Sequence, residues 1–233
     1  MIITLIVFAA TFVQASAGFG LALVSMPLLV GVLGIRIATP LVALIAISAE
    51  SILLFRFRAA LNFRAVIRLS AASLVGIPLG IFLLREVNVE IVTAVLGLVI
   101  ISYALYALFS PQMPRLHNPN WAFGFGFLGG ILSGAYNTSG PPVVIYGTMN
   151  NWPPDAFKSN LQGFFVLNTI MLITNHALAG NLTAVVWQNL LWALPGIALG
   201  LALAFLTDRR INPDRFRRIV LVLLIFLGLR LLW

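Results

Sequence analysis

The sequence predicts an all-α integral membrane protein. We expect two inverted repeats, each with a broken, re-entrant helix hairpin followed by three transmembrane helices. Three observations carry this fold class. The composition is too apolar for a soluble domain, short interrupted helices occur in both halves of the chain, and two arginine clusters constrain the topology.

The composition places the chain in a lipid bilayer. Of its 233 residues, 61% are hydrophobic and 9% are charged, with a mean hydropathy of +1.06. A soluble domain carries more polar residues, and the strands of a membrane barrel alternate apolar and polar residues, which these runs do not. The net charge of +8 would suggest a nucleic-acid partner in a soluble protein, but here the arginines lie in loops. We therefore expect no nucleic acid, and the absence of cysteine excludes thiolate metal sites.

Ten apolar segments follow one another along the chain. They are 2–16, 21–34, 38–55, 65–84, 91–109, 121–133, 141–150, 158–177, 184–206 and 217–232. Most approach the roughly 20 residues that cross a hydrocarbon core. The pairs 2–16 with 21–34 and 121–133 with 141–150 are shorter, and Gly or Pro interrupts each. Corresponding interrupted segments in two halves of a transporter indicate its binding site.

The two halves correspond at a constant offset of 120 residues. This offset aligns Gly20 with Gly140, Thr39 with Ser159, and 76–80 with 196–200. We therefore predict a single transporter domain, 1–233, with repeat 1 over 1–110 and repeat 2 over 117–233. The glycine pairs in 76–80 and 196–200 are expected to pack helices closely.

Two arginine clusters determine the predicted topology. They are Arg56, Arg58, Arg64 and Arg68 in one loop, and Arg209, Arg210, Arg215, Arg217 and Arg218 in the other. The positive-inside rule places both loops in the cytoplasm. Both clusters can lie in the cytoplasm only if the number of membrane crossings between them is even. This requires 121–150 to enter and leave the membrane on the same side. Applied to 2–34, the same argument places both termini outside and makes the repeats inverted. The expected location is a cell membrane, which in a bacterium is the inner membrane.

The first apolar segment could also be a signal peptide, because 15–17 (ASA) matches a small-residue cleavage site. No basic residue precedes it, however, and the repeat requires it. We expect it in the mature protein.

Small and polar residues at the breaks are the candidate substrate contacts. A helix N-terminus carries partial positive charge and unpaired N–H donors, which suit an anion. Glycine lets the backbone approach a ligand or adopt positive φ, while the alternatives are close helix packing for glycine and capping for Asn, Thr and Ser. The candidates are Gln14, Ser16, Gly18, Phe19 and Gly20 at the first break, Asn137, Thr138, Ser139 and Gly140 at the second, and Asn160 and Gln162 on segment 158–177.

Glu50 is the one acidic residue well inside an apolar span. Intramembrane carboxylates are rare and commonly serve as proton or cation sites. The alternative is an ion pair with Arg56 or Arg58 near the interface, although Arg56 is not at the i, i+4 spacing that favours a pair along one helix.

The chain resembles the sulfite exporter TauE/SafE family in the sequences QASAGFG (14–20), MPLL (26–29), GGILSG (129–134) and NTSGPP (137–142). The resemblance covers essentially the whole chain and implies a membrane permease for sulfur oxyanions such as sulfite, sulfoacetate or other organosulfonates. Members often carry three glycines at the second break, where this chain has Asn137, Thr138, Ser139 and Gly140. This departure adds hydrogen-bond donors.

The leading hypothesis is a secondary transporter that holds a small anion between the two breaks and exposes it alternately by rocking of the halves. Glu50 is the candidate for proton coupling. We expect no enzyme activity, cofactor or metal; the partners are the anion and the lipid bilayer, and the sequence leaves a homodimer open. The alternative is a rhomboid-like intramembrane serine hydrolase with Ser139 as nucleophile and His176 as base. Against it, two prolines follow Ser139, unlike the Gly-x-Ser-Gly pattern of such enzymes.

Overall fold

A computed structural model describes residues 1–86, 89–109, 115–116, 118–207, 213–230 and 232. Within these ranges the chain forms α-helices, one short 3-10 turn (Arg58–Ala60) and no strand, which confirms the all-α prediction. The helices are α1 (Ile2–Ala17), α2 (Leu21–Leu33), α3 (Ile35–Phe57), α4 (Phe63–Glu86), α5 (Val89–Phe109), α6 (Trp121–Tyr136), α7 (Gly140–Met149), α8 (Pro154–Leu178), α9 (Ala184–Thr207) and α10 (Pro213–Arg230).

Several helices are suited to a bilayer by length and composition. In the described part of the chain, four spans are long and apolar enough to cross it, namely Ile35–Ala60, Phe63–Leu83, Pro154–Leu178 and Ala184–Thr207. The helices on either side of the first break, α1 and α2, are apolar but only 16 and 13 residues long. This pattern indicates a multi-pass membrane protein. The orientation of the termini stays a prediction.

The main helix pairs each join a helix of one half to a helix of the other half. The short helix α1 packs against α9, and its counterpart α6 packs against α4. The long helices α3 and α8 pack on each other, as do α5 and α10. A two-fold relation between the halves would produce this set of pairs, although the inverted orientation itself stays a prediction.

Helix α3 lies at the centre of the molecule. Residues 38–46 of this helix are all buried, and the helix contacts α1, α2, α8 and α9. The buried part of α3 leads directly to Glu50, which is therefore held inside the protein rather than against lipid.

Glycines allow the helices of two main pairs to approach backbone to backbone. A Cβ added at Gly130 of α6 would lie 2.6 Å from the carbonyl oxygen of Ser73 in α4. In the other pair, a Cβ at Gly200 of α9 would lie 2.8 Å from the carbonyl oxygen of Phe8 in α1. The predicted packing role is confirmed for the four glycines of the aligned pairs, Gly76, Gly80, Gly196 and Gly200, each of which meets the backbone of the opposite helix.

We predict that Gly130→Ala destabilises the protein, because its methyl group would overlap the α4 backbone, which cannot move aside cheaply. Overpacking of this kind costs about 1–3 kcal/mol. Gly124→Ala is the matched control on the same helix, since nothing lies within 4 Å of a Cβ there. Thermal unfolding of the purified proteins in detergent should show a lower midpoint for Gly130→Ala alone. Equal midpoints for the two variants would contradict the close α4–α6 packing.

Candidate functional site

Both predicted breaks are present, and residues with left-handed backbone conformations form them. Gly18 ends α1 with φ 84°, and Gly20 precedes α2 with φ 113°. At the second break Asn137 adopts φ 60°. Gly140 is instead the first helical residue of α7, so positive φ is not its role. Asparagine tolerates the left-handed region better than other residues that carry a Cβ.

The two breaks meet at one cavity of about 30 Å³. Its lining consists of Gln14, Gly20, Leu21, Ala22 and Leu23 from the first hairpin, Ser133, Asn137, Thr138, Ser139 and Gly140 from the second, and Ala46, Glu50, Phe165 and Thr169 from α3 and α8. This volume accommodates one or two water molecules. A larger ligand therefore requires the surrounding helices to separate.

Two buried glutamines bridge the first break. The Gln162 Nε2 donates to the Gly18 carbonyl oxygen at 2.7 Å, and the Gln14 Nε2 donates to Gln162 Oε1 at 3.1 Å. The Leu21 N–H donates in turn to Gln14 Oε1 at 3.0 Å. The amide pair thus satisfies one carbonyl and one N–H group that the break removes from helical pairing, as burial in hydrocarbon requires. Gln162 does this from α8, behind the cavity lining.

The polar side chains of the second break have different partners. The Asn137 Nδ2 donates to the Thr39 carbonyl oxygen of α3 at 2.8 Å, and the Thr138 hydroxyl donates to the Tyr136 carbonyl oxygen at 2.8 Å. The Ser139 side chain is 7% exposed and its hydroxyl has no partner within the described chain. Of these three side chains, Ser139 keeps its donor available to a ligand.

The N-termini of α2 and α7 face the same cavity but supply different numbers of donors. At α2, the N–H groups of Ala22 and Leu23 have no acceptor in the described part of the chain. At α7, Pro141 and Pro142 have no N–H group at all. Backbone donors into the cavity therefore come mainly from α2, while the second break contributes the Gly140 N–H and the Ser139 hydroxyl.

Glu50 lines this cavity and is 6% exposed. The Thr169 hydroxyl donates to its Oε2 at 2.9 Å, and no cation among the described residues pairs with it. The guanidinium of Arg56 instead lies 4.4 Å from the Phe205 ring centroid, and that of Arg58 lies 3.9 Å from the Phe55 centroid. The alternative of an ion pair with these arginines has no support here.

Two further predicted residues stabilise the first break from outside the cavity lining. A Cβ at Gly18 would lie 3.2 Å from Lys158 Cγ, so α8 packs directly on this glycine. The Phe19 ring makes an edge contact with Tyr103, with 5.9 Å between centroids. Both contacts fix where the break lies against neighbouring helices.

Asn160 and Ser16 also lie outside the cavity lining. The Asn160 Oδ1 accepts from the Asn62 N–H at 2.7 Å and so connects α8 to the turn before α4. The Asn160 Nδ2 and the Ser16 hydroxyl are buried without a protein partner in the described chain. Of the predicted residues, Gln14, Gly20, Asn137, Thr138, Ser139 and Gly140 line the cavity, whereas Ser16, Gly18, Phe19, Asn160 and Gln162 do not.

His176 is not brought to Ser139. It lies about 10 Å along α8 beyond the cavity residue Thr169, at a rise of 1.5 Å per residue, and its Nδ1 is 3.1 Å from Asn181 Nδ2. It does not line the cavity. The arrangement thus offers no support for a serine hydrolase.

The sequence analysis did not single out Thr169, Ala22 or Leu23. Thr169 carried a weak signal, as a hydroxyl one residue after Asn168 on an apolar helix. Ala22 and Leu23 carried none, because they contribute through backbone N–H groups that every residue except proline has.

Comparison with known proteins gives two matches. The sequence profile of the family described as "Sulfite exporter TauE/SafE" matches residues 3–231. A protein of Cupriavidus necator named "Probable sulfite/organosulfonate exporter TauE" is 25% identical over 230 residues, which cover 96% of this chain and 90% of that protein. No solved structure matches the chain.

We predict that Gln162→Leu destabilises the protein by about 1–3 kcal/mol, because it leaves the buried Gly18 carbonyl and the Gln14 amide without a partner. The double variant Gln14→Leu/Gln162→Leu should cost less than the sum of the two single variants, since both remove the same bond. Gln188→Leu, the same replacement at an exposed position of α9, is the control. Strictly additive losses in thermal unfolding would show that the two amides are independent.

Proposed function

Because the chain belongs to the sulfite exporter TauE/SafE family, it is a membrane transporter, and we propose that it carries sulfite or an organosulfonate such as sulfoacetate by alternating access. The observation that carries this proposal is the single cavity shared by two helix breaks. Broken helices whose N-termini face a common cavity suit an anionic substrate. The name of the Cupriavidus necator relative supports the same substrate class.

The proposed oxyanion contacts are the groups that the protein leaves without partners at the cavity. They include the N–H groups of Ala22, Leu23 and Gly140 and the hydroxyl of Ser139. These donors are neutral, so the site bears no cation that would have to be desolvated when it is empty. We assign Gln14, Gln162 and Asn137 a positioning role, since the glutamine amides bond across the first break and the Asn137 amide bonds to α3.

Alternating access is supported by how each break is attached. The first break is tethered to α8 through Gln162, and the second break to α3 through Asn137. Each tether therefore joins a hairpin of one half to a long helix of the other. Rocking of one half against the other would separate the two breaks and enlarge the cavity between them, whose volume of about 30 Å³ is too small for the proposed substrate.

No observation favours the rhomboid-like alternative, so we propose no second function. The inverted repeats and the external termini remain predictions. A homodimer is not required by this transport cycle.

We predict that Ser139→Ala weakens apparent substrate affinity roughly 2- to 10-fold, the expected loss for one neutral hydrogen bond. Sulfite and sulfoacetate uptake into proteoliposomes measures this. Ser48→Ala is the control, because its hydroxyl donates to the Leu44 carbonyl oxygen within α3 and does not line the cavity. Unchanged uptake by Ser139→Ala, with normal membrane insertion, would overturn the proposed site.

We predict that Ala22→Pro also lowers the affinity by roughly 2- to 10-fold, because it removes one backbone donor. The first turn of a helix tolerates proline, and Pro142 occupies the equivalent position of the second half at the offset of 120 residues. Ala22→Val keeps the N–H group and adds similar bulk, so it is the matched control. If both variants lose the same affinity, the effect comes from bulk and not from the donor.

A further inference from the structure

Glu50 poses an electrostatic problem for the proposed anion site. It lines the same cavity as the donors of both breaks, and no cation in the described residues neutralises it. An ionised Glu50 and an oxyanion a few ångströms apart in this small buried cavity repel strongly, enough to weaken binding by more than about tenfold. The anion therefore binds well only if something compensates the charge of Glu50.

The surrounding helices do not provide that compensation. Helices α1, α2 and α9, which pack on α3, contain no Asp, Glu, Lys, Arg or His. On α8, the residue that faces Glu50 is Thr169, and the ionisable residues Asp155, Lys158 and His176 lie toward the ends of that helix. Charged groups on α3 itself are Arg36 near its start and Arg56 near its end.

Resting on the proposed function, we infer that one proton binds Glu50 whenever a singly charged oxyanion binds the cavity, so that the two move together as an electroneutral pair. The carboxylate gains H⁺ and becomes a neutral carboxylic acid, while the anion contributes one negative charge. The loaded and the empty transporter then carry the same charge through the membrane. On release, the proton and the anion leave the transporter on the same side of the membrane.

This arrangement assigns separate tasks to the two sides of the cavity. The helix N-termini bind the oxyanion, and protonation of Glu50, which is bonded to Thr169, compensates the charge of the anion. Thr169 bonds only Oε2 in the described structure, which leaves Oε1 to take the proton and donate it toward the ligand. With one proton on Glu50, a doubly charged anion would keep one uncompensated negative charge. The rate of its transport would then depend on the membrane potential.

Transport in proteoliposomes tests the inference with the wild-type protein. The probes are methanesulfonate, which is singly charged and releases no proton of its own, and sulfite at mildly acidic pH; potential is set with potassium and valinomycin. We expect uptake to change less than about twofold between zero and inside-negative potential, and the interior to gain one proton per methanesulfonate. Uptake slowed severalfold by inside-negative potential, without acidification, overturns the inference but leaves the transport proposal standing. Uptake of sulfoacetate but of neither singly charged probe overturns the inference alone. Uptake of none of the three anions above protein-free vesicles refutes the proposed function and the inference with it.

Variants separate Glu50 from general effects on folding. In Glu50→Gln, whatever uptake remains should lack the linked acidification and become slower at inside-negative potential, because its empty form no longer carries the compensating charge. Asp155→Asn, an exposed acid on the first turn of α8, should behave as the wild type. Acidification that persists in Glu50→Gln assigns the proton to another group and overturns the inference.

Discussion

The structure depends on one constraint, namely that backbone polar groups freed by a helix break inside hydrocarbon must find partners within the protein. At the first break the Gln14 and Gln162 amides provide them for the Gly18 carbonyl and the Leu21 N–H. At the second, local bonds and the contact from Asn137 to Thr39 fix the turn. At both breaks a hydrogen-bond partner comes from the other half of the molecule, so the two halves pack around the breaks.

The groups that remain unsatisfied define the chemistry of the cavity. Two N–H groups of α2, the Gly140 N–H and the Ser139 hydroxyl converge there with the Glu50 carboxylate. Neutral donors and one acid can exchange an anion and a proton without a permanent ion pair.

The fold was largely predictable from the sequence, because ten apolar runs and a constant offset of 120 residues are visible without coordinates. The two breaks were predictable for the same reason. The separate roles of the site residues, as ligand contacts or as residues that position the breaks, were not predictable from the sequence. Gln162 and Asn137 were predicted as ligand contacts, and the structure adds bonds from both to distant segments that no local pattern identifies. The donors of Ala22 and Leu23 could not be predicted from side-chain chemistry, since they are backbone N–H groups.

The central claim is that both breaks form one oxyanion site, and a heavy-atom analogue tests it most directly. Crystals of the protein grown with selenite, an analogue of sulfite with a strong anomalous signal, would locate the anion without assumptions about transport. We expect a peak between the N-terminus of α2 and Ser139, within hydrogen-bond distance of the Ala22 or Leu23 N–H. A peak confined to the arginine-rich turn around Arg58, with the cavity empty, would contradict it.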